Sequence, residues 1–356
     1  MKVVNLMLGS ACNLHCEYCL QTGQNVPANH KADEVAFAEK LVAFLRQKQT
    51  SHSQALIELP DVIAFWGGEP LLYWKTITSL VATFDRLSFS PKRNYLFTTN
   101  GKTLSDEYVE FANEHRFWTT ISSHDWNFDD DVLRRIFRLR NWSFSVIIHR
   151  QHLNFFSLRD RFYRLWDRFG VPPRFYLHFL RANDGCSPEF YLRKEDVDYL
   201  LHHLQNDVLP LVLSGDDWAT VQCRQLLVER FKEKQKGNEG GKCVRSDRLA
   251  IDLHGNVYAC HHNYDANNVT QNLFRKTIPI VQKGRTENLS PQRFSESKEC
   301  QACSYFSECH GGCYLSKTHD VDCYLTKRLA PFYDQLAEIL HFDETFSETL
   351  YQNPLK

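Results

Sequence analysis

Cysteine spacing constrains this chain more than any other feature of its sequence. Ten of its 12 cysteines fall in two fields, one between residues 12 and 19 and the other between residues 243 and 323. Thiols crowded in this way either pair as disulfides or bind metal. The N-terminal residues carry no signal-peptide pattern, so a reducing, cytoplasmic setting is expected and the cysteines read as metal ligands. No apolar run reaches the roughly 18–20 residues that span a bilayer. With a formal net charge of −1, nothing global draws the chain to nucleic acid or to a membrane surface.

Residues 1–215 alternate short apolar runs with helix-like periodicity. The strand candidates are 3–8, 62–66, 95–99, 118–122, 144–149 and 175–180; most are β-branched or aromatic and end in Gly, Asn, Ser or His. Helical periodicity covers the stretches between them, such as 34–47, 76–87, 105–113, 155–169 and 195–204. Ser105 is placed to cap its helix, with Asp106 and Glu107 in the favoured first turn. Six β–α units in series predict an α/β fold with a parallel sheet, and six are too few to close an eight-stranded barrel. A partial (β/α)6 barrel follows, with chemistry at the carboxyl ends of its strands. Residues 231–241 are polar and glycine-rich and read as a loop. Beyond them cysteines replace apolar runs as the organising feature. A small cysteine-rich α+β domain is expected over 216–335, followed by a tail, 336–356.

Cys12, Cys16 and Cys19 follow the first strand directly. Three thiolates at this spacing can bind three corners of a 4Fe–4S cubane, leaving one iron open to a ligand. Zinc would need a fourth ligand, and His15 is poorly spaced for that. The arrangement C-x3-C-x2-C, with Tyr18 before the last cysteine, resembles the radical S-adenosylmethionine superfamily. So does Trp66-Gly67-Gly68-Glu69-Pro70 at the end of the second strand, where glycines admit close backbone approach. The resemblance implies reductive cleavage of S-adenosylmethionine to a 5′-deoxyadenosyl radical. It also implies cofactor contacts from Tyr18, Gly67, Gly68, Glu69 and Pro70, from Asn100 in a Thr-Asn-Gly turn, and from Ser122. Arg134 or Arg135 could pair with the cofactor carboxylate, or either could be an exposed helix arginine. His149 could line the same mouth or cap its strand.

The second field runs Cys243, Cys260, Cys300, Cys303, Cys309, Cys313, Cys323, and resembles the SPASM domain of peptide-modifying radical enzymes. Residues 252–260 read as a hairpin turning at His254-Gly255-Asn256 and presenting Cys260. The resemblance implies two auxiliary 4Fe–4S clusters, so three in all. Cys300, Cys303, Cys309 and Cys323 would hold one. Cys243, Cys260 and Cys313 would hold the other, with Cys223 the preferred fourth donor and Cys186 the weaker. Two zinc sites are the competing reading. His261, His262, His310 and Lys242 flank the cysteines and could offset the cluster charge.

Hydrogen abstraction from carbon is what the resemblance implies, followed by electron transfer to an auxiliary cluster. The favoured reading is an oxidoreductase of peptide maturation that cross-links residues of a ribosomally made precursor peptide. Formylglycine formation, as in anaerobic sulfatase maturation, is the alternative; in those relatives an Asp proton acceptor stands where this chain has His261, whose imidazole can serve as a base near neutral pH. A non-catalytic iron–sulfur electron-transfer protein is a third reading. Only 11 residues precede Cys12, so peptide recognition is expected from a separate protein or from direct groove binding. The electron donor would be of flavodoxin or ferredoxin type. The aromatics at 155, 156, 162, 163, 175, 176 and 179 read as core before they read as a peptide groove.

Overall fold

The computed structural model describes residues 3–22, 33–50, 60–123, 126, 128–154, 156–180, 182–183, 185–235, 248–258, 260, 262–264, 269–274, 297–309, 311–313 and 315–342. Two compact units form, one from Met1–Trp142 with Arg245–Ser290, the other from Ser143–Val244 with Pro291–Lys356.

The first unit is built on β1 (Val3–Met7), β2 (Val62–Trp66), β3 (Asn94–Thr99) and β4 (Phe117–Ser122), interleaved with α1 (Glu34–Thr50), α2 (Trp74–Arg86), α3 (Asp106–Glu114) and α4 (Asp130–Arg138). Each strand pairs parallel with the next, Met7 opposite Trp66, Phe65 opposite Phe97 and Thr99 opposite Ile121. In-register parallel pairing brings the carboxyl ends of all four strands to one edge. β1 and β2 are buried almost throughout, as parallel strands covered on both faces are, whereas β3 and β4 alternate. Phe65, Tyr95 and Phe117 stack across three strands with ring centroids 5.1 to 6.0 Å apart. Ser105 caps α3, its side chain accepting from the Tyr108 amide.

Three further strands, β7 (Arg248–Asp252), β8 (Asn256–Tyr258) and β9 (Val269–Asn272), extend this same sheet. β7 runs parallel to β1, and β8 and β9 follow antiparallel. The expected hairpin therefore forms. Buried Asp252 fixes its turn, accepting at Oδ1 from the His254 and Asn256 amides and at Oδ2 from the Asn256 side chain and the Tyr258 hydroxyl.

The second unit carries β5 (Trp142–Ile148, its first residue in the other unit) and β6 (Phe175–Phe179), again parallel. Its helices are α5 (Phe156–Phe169), α6 (Lys194–His203), α7 (Leu209–Leu213), α8 (Asp217–Gln235), α9 (Lys298–Gln301), α10 (Phe306–Cys309) and α11 (His319–Ile339). All six expected strands of the parallel series are present, within two residues of their expected bounds. Phe162 and Phe175 are buried and 6.2 Å apart, so they belong to the core. One expectation is corrected: residues 231–235 continue α8 rather than forming a loop. Lys, Glu and Gln favour helix strongly, and the glycines that would end it begin only at Gly237. Residues 236–247 and the tail from 343 lie outside the described residues.

Candidate radical and cluster site

At the carboxyl edge of the first unit, the exits of β2 and β3 are tied to the loop that carries Cys12, Cys16 and Cys19. The Leu8 amide donates to the Trp66 carbonyl at 2.7 Å, Gly68 to Gly9 at 3.1 Å and Glu69 to Ala11 at 2.8 Å. Such approach needs glycine. A Cβ on Gly67 would overlap the Gly9 carbonyl oxygen, and one on Gly68 the Ala11 carbonyl oxygen. Gly67 also has φ +135°, which side-chain-bearing residues rarely adopt. Pro70 opens a short 3-10 turn that carries Tyr73, whose hydroxyl accepts from the Ala11 amide at 2.8 Å.

Glu69 sits at the centre of this edge, only 1% exposed. One carboxylate oxygen accepts from the Leu71 amide at 3.0 Å and the Thr99 hydroxyl at 2.6 Å; the other accepts from the Asn100 amide at 2.8 Å. Burial pushes its pKa up, against the pull of those three donors. Asn100 in turn donates from its side chain to Asn13 Oδ1, 2.7 Å away, between Cys12 and Leu14. The end of β2, the Thr99–Gly101 turn and the cysteine loop thus form one hydrogen-bonded unit. Neither Asn13 nor Tyr73 carries a sequence signal for its partner; Tyr73 lies 62 residues from the amide it meets, and no local pattern encodes that contact.

The other expected cofactor contacts stand as follows. Tyr18 and Ser122 are half-buried, Tyr18 in the cysteine loop and Ser122 at the last position of β4. Arg135 donates to Asp106 at 3.2 Å, beside Arg138 on the same carboxylate, and Arg134 pairs with Asp131 at 2.6 Å. His149 follows β5 in the second unit. Burial, and then neighbouring His152, pushes its imidazole down to about 4, so it is neutral at pH 7.

The cysteines themselves test the fit to iron–sulfur clusters. Cys12 is exposed, and Cys16 and Cys19 are half-buried. Amides two residues downstream donate to sulfur: Leu14 to Cys12, Gln21 to Cys19 and His262 to Cys260, each at 3.4 Å. Gly311 does the same for Cys309. Such donors stabilise thiolate and offset the negative charge of a cluster. Burial pushes the Cys309 thiol up, the Gly311 amide draws it down, and the thiols of Cys323, Cys300 and Cys303 push it up again. Cys323, Cys300 and Cys303 therefore each lie within electrostatic reach of Cys309. Among the described residues no three His, Cys, Asp or Glu side chains are grouped as they would be around a metal ion. Thiols that accept from backbone amides are the donor chemistry an iron–sulfur cluster takes.

Cys260 is buried at the end of the hairpin in the first unit, and the His262 ring meets Trp66 edge-on at 5.3 Å. Cys313 is buried in the second unit. Cys223 is fully buried on α8, and burial pushes its thiol up to about 12. Cys186 is buried too, its thiol near the Ser187 carbonyl. Cys243, His261, His310 and Lys242 lie outside the described residues. No helix among the described residues is long and apolar enough to cross a membrane.

Comparison with known proteins agrees with this geometry. Residues 3–119 match the family model described as a 4Fe-4S single cluster domain. The chain is 24% identical over 345 residues to a serine-type anaerobic sulfatase-maturating enzyme of Klebsiella aerogenes, covering 86% of this chain and 78% of that protein. It is 21% identical to the radical SAM cyclopropyl synthase TigE of Paramaledivibacter caminithermalis, covering 94% and 73%. Among solved structures, anSMEcpe with bound AdoMet superposes with a TM-score of 0.63 at 16% identity, covering 96% of this chain and 98% of that one. Streptococcus suis SuiB bound to precursor peptide SuiA superposes at 0.57 and 15%, covering 88% and 72%. These likenesses carry the partial-barrel fold over nearly the whole chain.

Proposed function

We propose that the chain is a radical S-adenosylmethionine enzyme with a SPASM-type C-terminal region, a reading supported by its likenesses, and that it matures a ribosomally made peptide, taking a hydrogen atom from one residue and leaving an oxidative cross-link. The observation that carries this reading is the hydrogen-bonded unit of Gly67–Pro70, Thr99–Gly101 and the cysteine loop at one sheet edge. Cys12, Cys16 and Cys19 would hold the first 4Fe–4S cluster. With S-adenosylmethionine at its open corner, that group supplies on reduction the oxidant that breaks a C–H bond.

The protein's part is to hold and to orient. Glu69 spends both carboxylate oxygens on Leu71, Thr99 and Asn100, so within Gly67–Pro70 the backbone is left to meet the methionyl amine. Asn100 braces the cysteine loop through Asn13. Cys300, Cys303, Cys309 and Cys323 would hold one auxiliary cluster. Cys243, Cys260 and Cys313 would hold the other, with Cys223 as the candidate fourth donor; these clusters would take the electron released by the substrate. His261 is the proposed proton acceptor. A flavodoxin- or ferredoxin-type protein would deliver electrons. A peptide substrate is supported by the SuiB structure, which was solved with its precursor peptide.

A second reading, formylglycine formation, is favoured by the similarity to sulfatase-maturating enzymes over 86% of this chain. One assay separates the two. Anaerobic incubation with S-adenosylmethionine, dithionite and candidate peptides should release 5′-deoxyadenosine while the peptide loses a pair of hydrogens. A product that a hydrazide captures is an aldehyde and favours formylglycine. A hydrazide-inert product with linked fragments in tandem mass spectra is the cross-link. Absence of 5′-deoxyadenosine from fully reduced protein would overturn both and leave electron transfer.

A further inference from the structure

A partly buried ion-pair cluster joins the elements that carry two of the C-terminal cysteines. Arg230 lies on α8. Its Nε and Nη2 donate to the two carboxylate oxygens of Glu308 at 2.8 and 2.7 Å, and its Nη1 reaches Asp334 Oδ1 at 2.8 Å. The Arg230 and Glu308 side chains are only 10% and 12% exposed. The guanidinium also lies over the Tyr333 ring, 5.6 Å from its centroid. Glu308 directly precedes Cys309 in α10, and Asp334 is on α11, which carries Cys323 three turns earlier.

The placement has a physical consequence. α10 has 4 residues, too few to hold itself by intrahelical bonds. Yet Cys309 must arrive within reach of Cys300, Cys303 and Cys323. A two-point guanidinium–carboxylate fork fixes direction as well as distance, where a lysine would still hold the carboxylate but at a single point. The fork acts on the residue next to the ligand.

We propose that Arg230 is a positioning residue for the cluster of Cys300, Cys303, Cys309 and Cys323. It clamps the Cys309 helix to α8 and α11, and its charge, balanced against Glu308, sets that cluster's reduction potential. The proposal rests on the reading that these four cysteines hold a 4Fe–4S cluster.

The test is anaerobic iron and sulfide analysis with an EPR-monitored redox titration of the full-length protein, comparing wild type with Arg230→Gln, Arg230→Lys, Glu308→Gln and Cys309→Ser. Arg230→Gln and Cys309→Ser should each lose about four irons, one cubane, while 5′-deoxyadenosine release persists. Arg230→Lys and Glu308→Gln should keep their iron. In Glu308→Gln the potential of one auxiliary cluster should rise, because a neighbouring negative charge is gone. In Arg230→Lys it should fall, because the cation no longer sits on two oxygens. Full iron with unmoved potentials in both conservative variants would overturn the proposal, as would loss of iron from every cluster in all the Arg230 and Glu308 variants. A Cys309→Ser protein with wild-type iron would instead remove the cluster reading itself, and the proposal with it.

Discussion

At the residue scale the most informative side chain is Glu69. The motif that contains it is legible in sequence, but its direction is not. Resemblance alone assigns it to cofactor contact, whereas in the fold its carboxylate faces inward and accepts from three donors on two strand ends. Glu69→Gln puts an amide NH2 where a backbone N–H needs an acceptor, which should cost about 1–3 kcal/mol in denaturant unfolding. The pH dependence has a definite sign. Burial raises this carboxyl above its ordinary 4.5, so the stability it contributes is complete below that pH and is lost as the pH rises through the raised value. The gap between wild type and the glutamine variant should therefore narrow as pH rises; a gap that widens would show that the hydrogen bonds outweigh burial. Arg135 shows the same limit of residue-level reading. Its identity is plain, but only the fold pairs it with Asp106.

At the element scale, strand and helix periodicity is legible because each β–α unit buries its own face. Loops at the strand ends are legible where they contain glycine. Gly67 and Gly68 are required because β1 and β2 pair in register and their exits run against each other. Gly68→Ala would drive a methyl into the Ala11 carbonyl, and backbone displacement of this kind costs about 1–3 kcal/mol. The displaced segment carries Cys12. That variant should therefore retain less iron in the first cluster and bind S-adenosylmethionine more weakly by calorimetry, with auxiliary iron unaffected. Normal binding would mean the loop tolerates the shift. The hairpin at Gly255 was equally legible, but its parallel attachment to β1 was not, since pairing between Val3 and Arg248 has no local signal.

For the whole molecule the governing quantity is the number of clusters. Wild type should carry about twelve irons and the Cys12/Cys16/Cys19→Ala variant about eight, measured anaerobically as iron and sulfide. About four irons with zinc filling the remainder would leave the radical site standing and overturn the C-terminal reading. A Cys223→Ala arm belongs in the same experiment. Its thiol is fully buried and raised to about 12, and unchanged iron there would strike it from the ligand set.

The sequence by itself determined the candidate ligand pattern and the order of elements: cysteine spacing, Gly67–Pro70 and six β–α units are local patterns, and local patterns survive without coordinates. Tertiary structure alone decided the pairings between distant residues. Tyr73 with Ala11, Asn100 with Asn13, Arg230 with Glu308 and β7 with β1 are set by which surfaces the packed sheet and helices bring together. That choice is made by burial and register over the whole chain, and no short stretch of it carries the information.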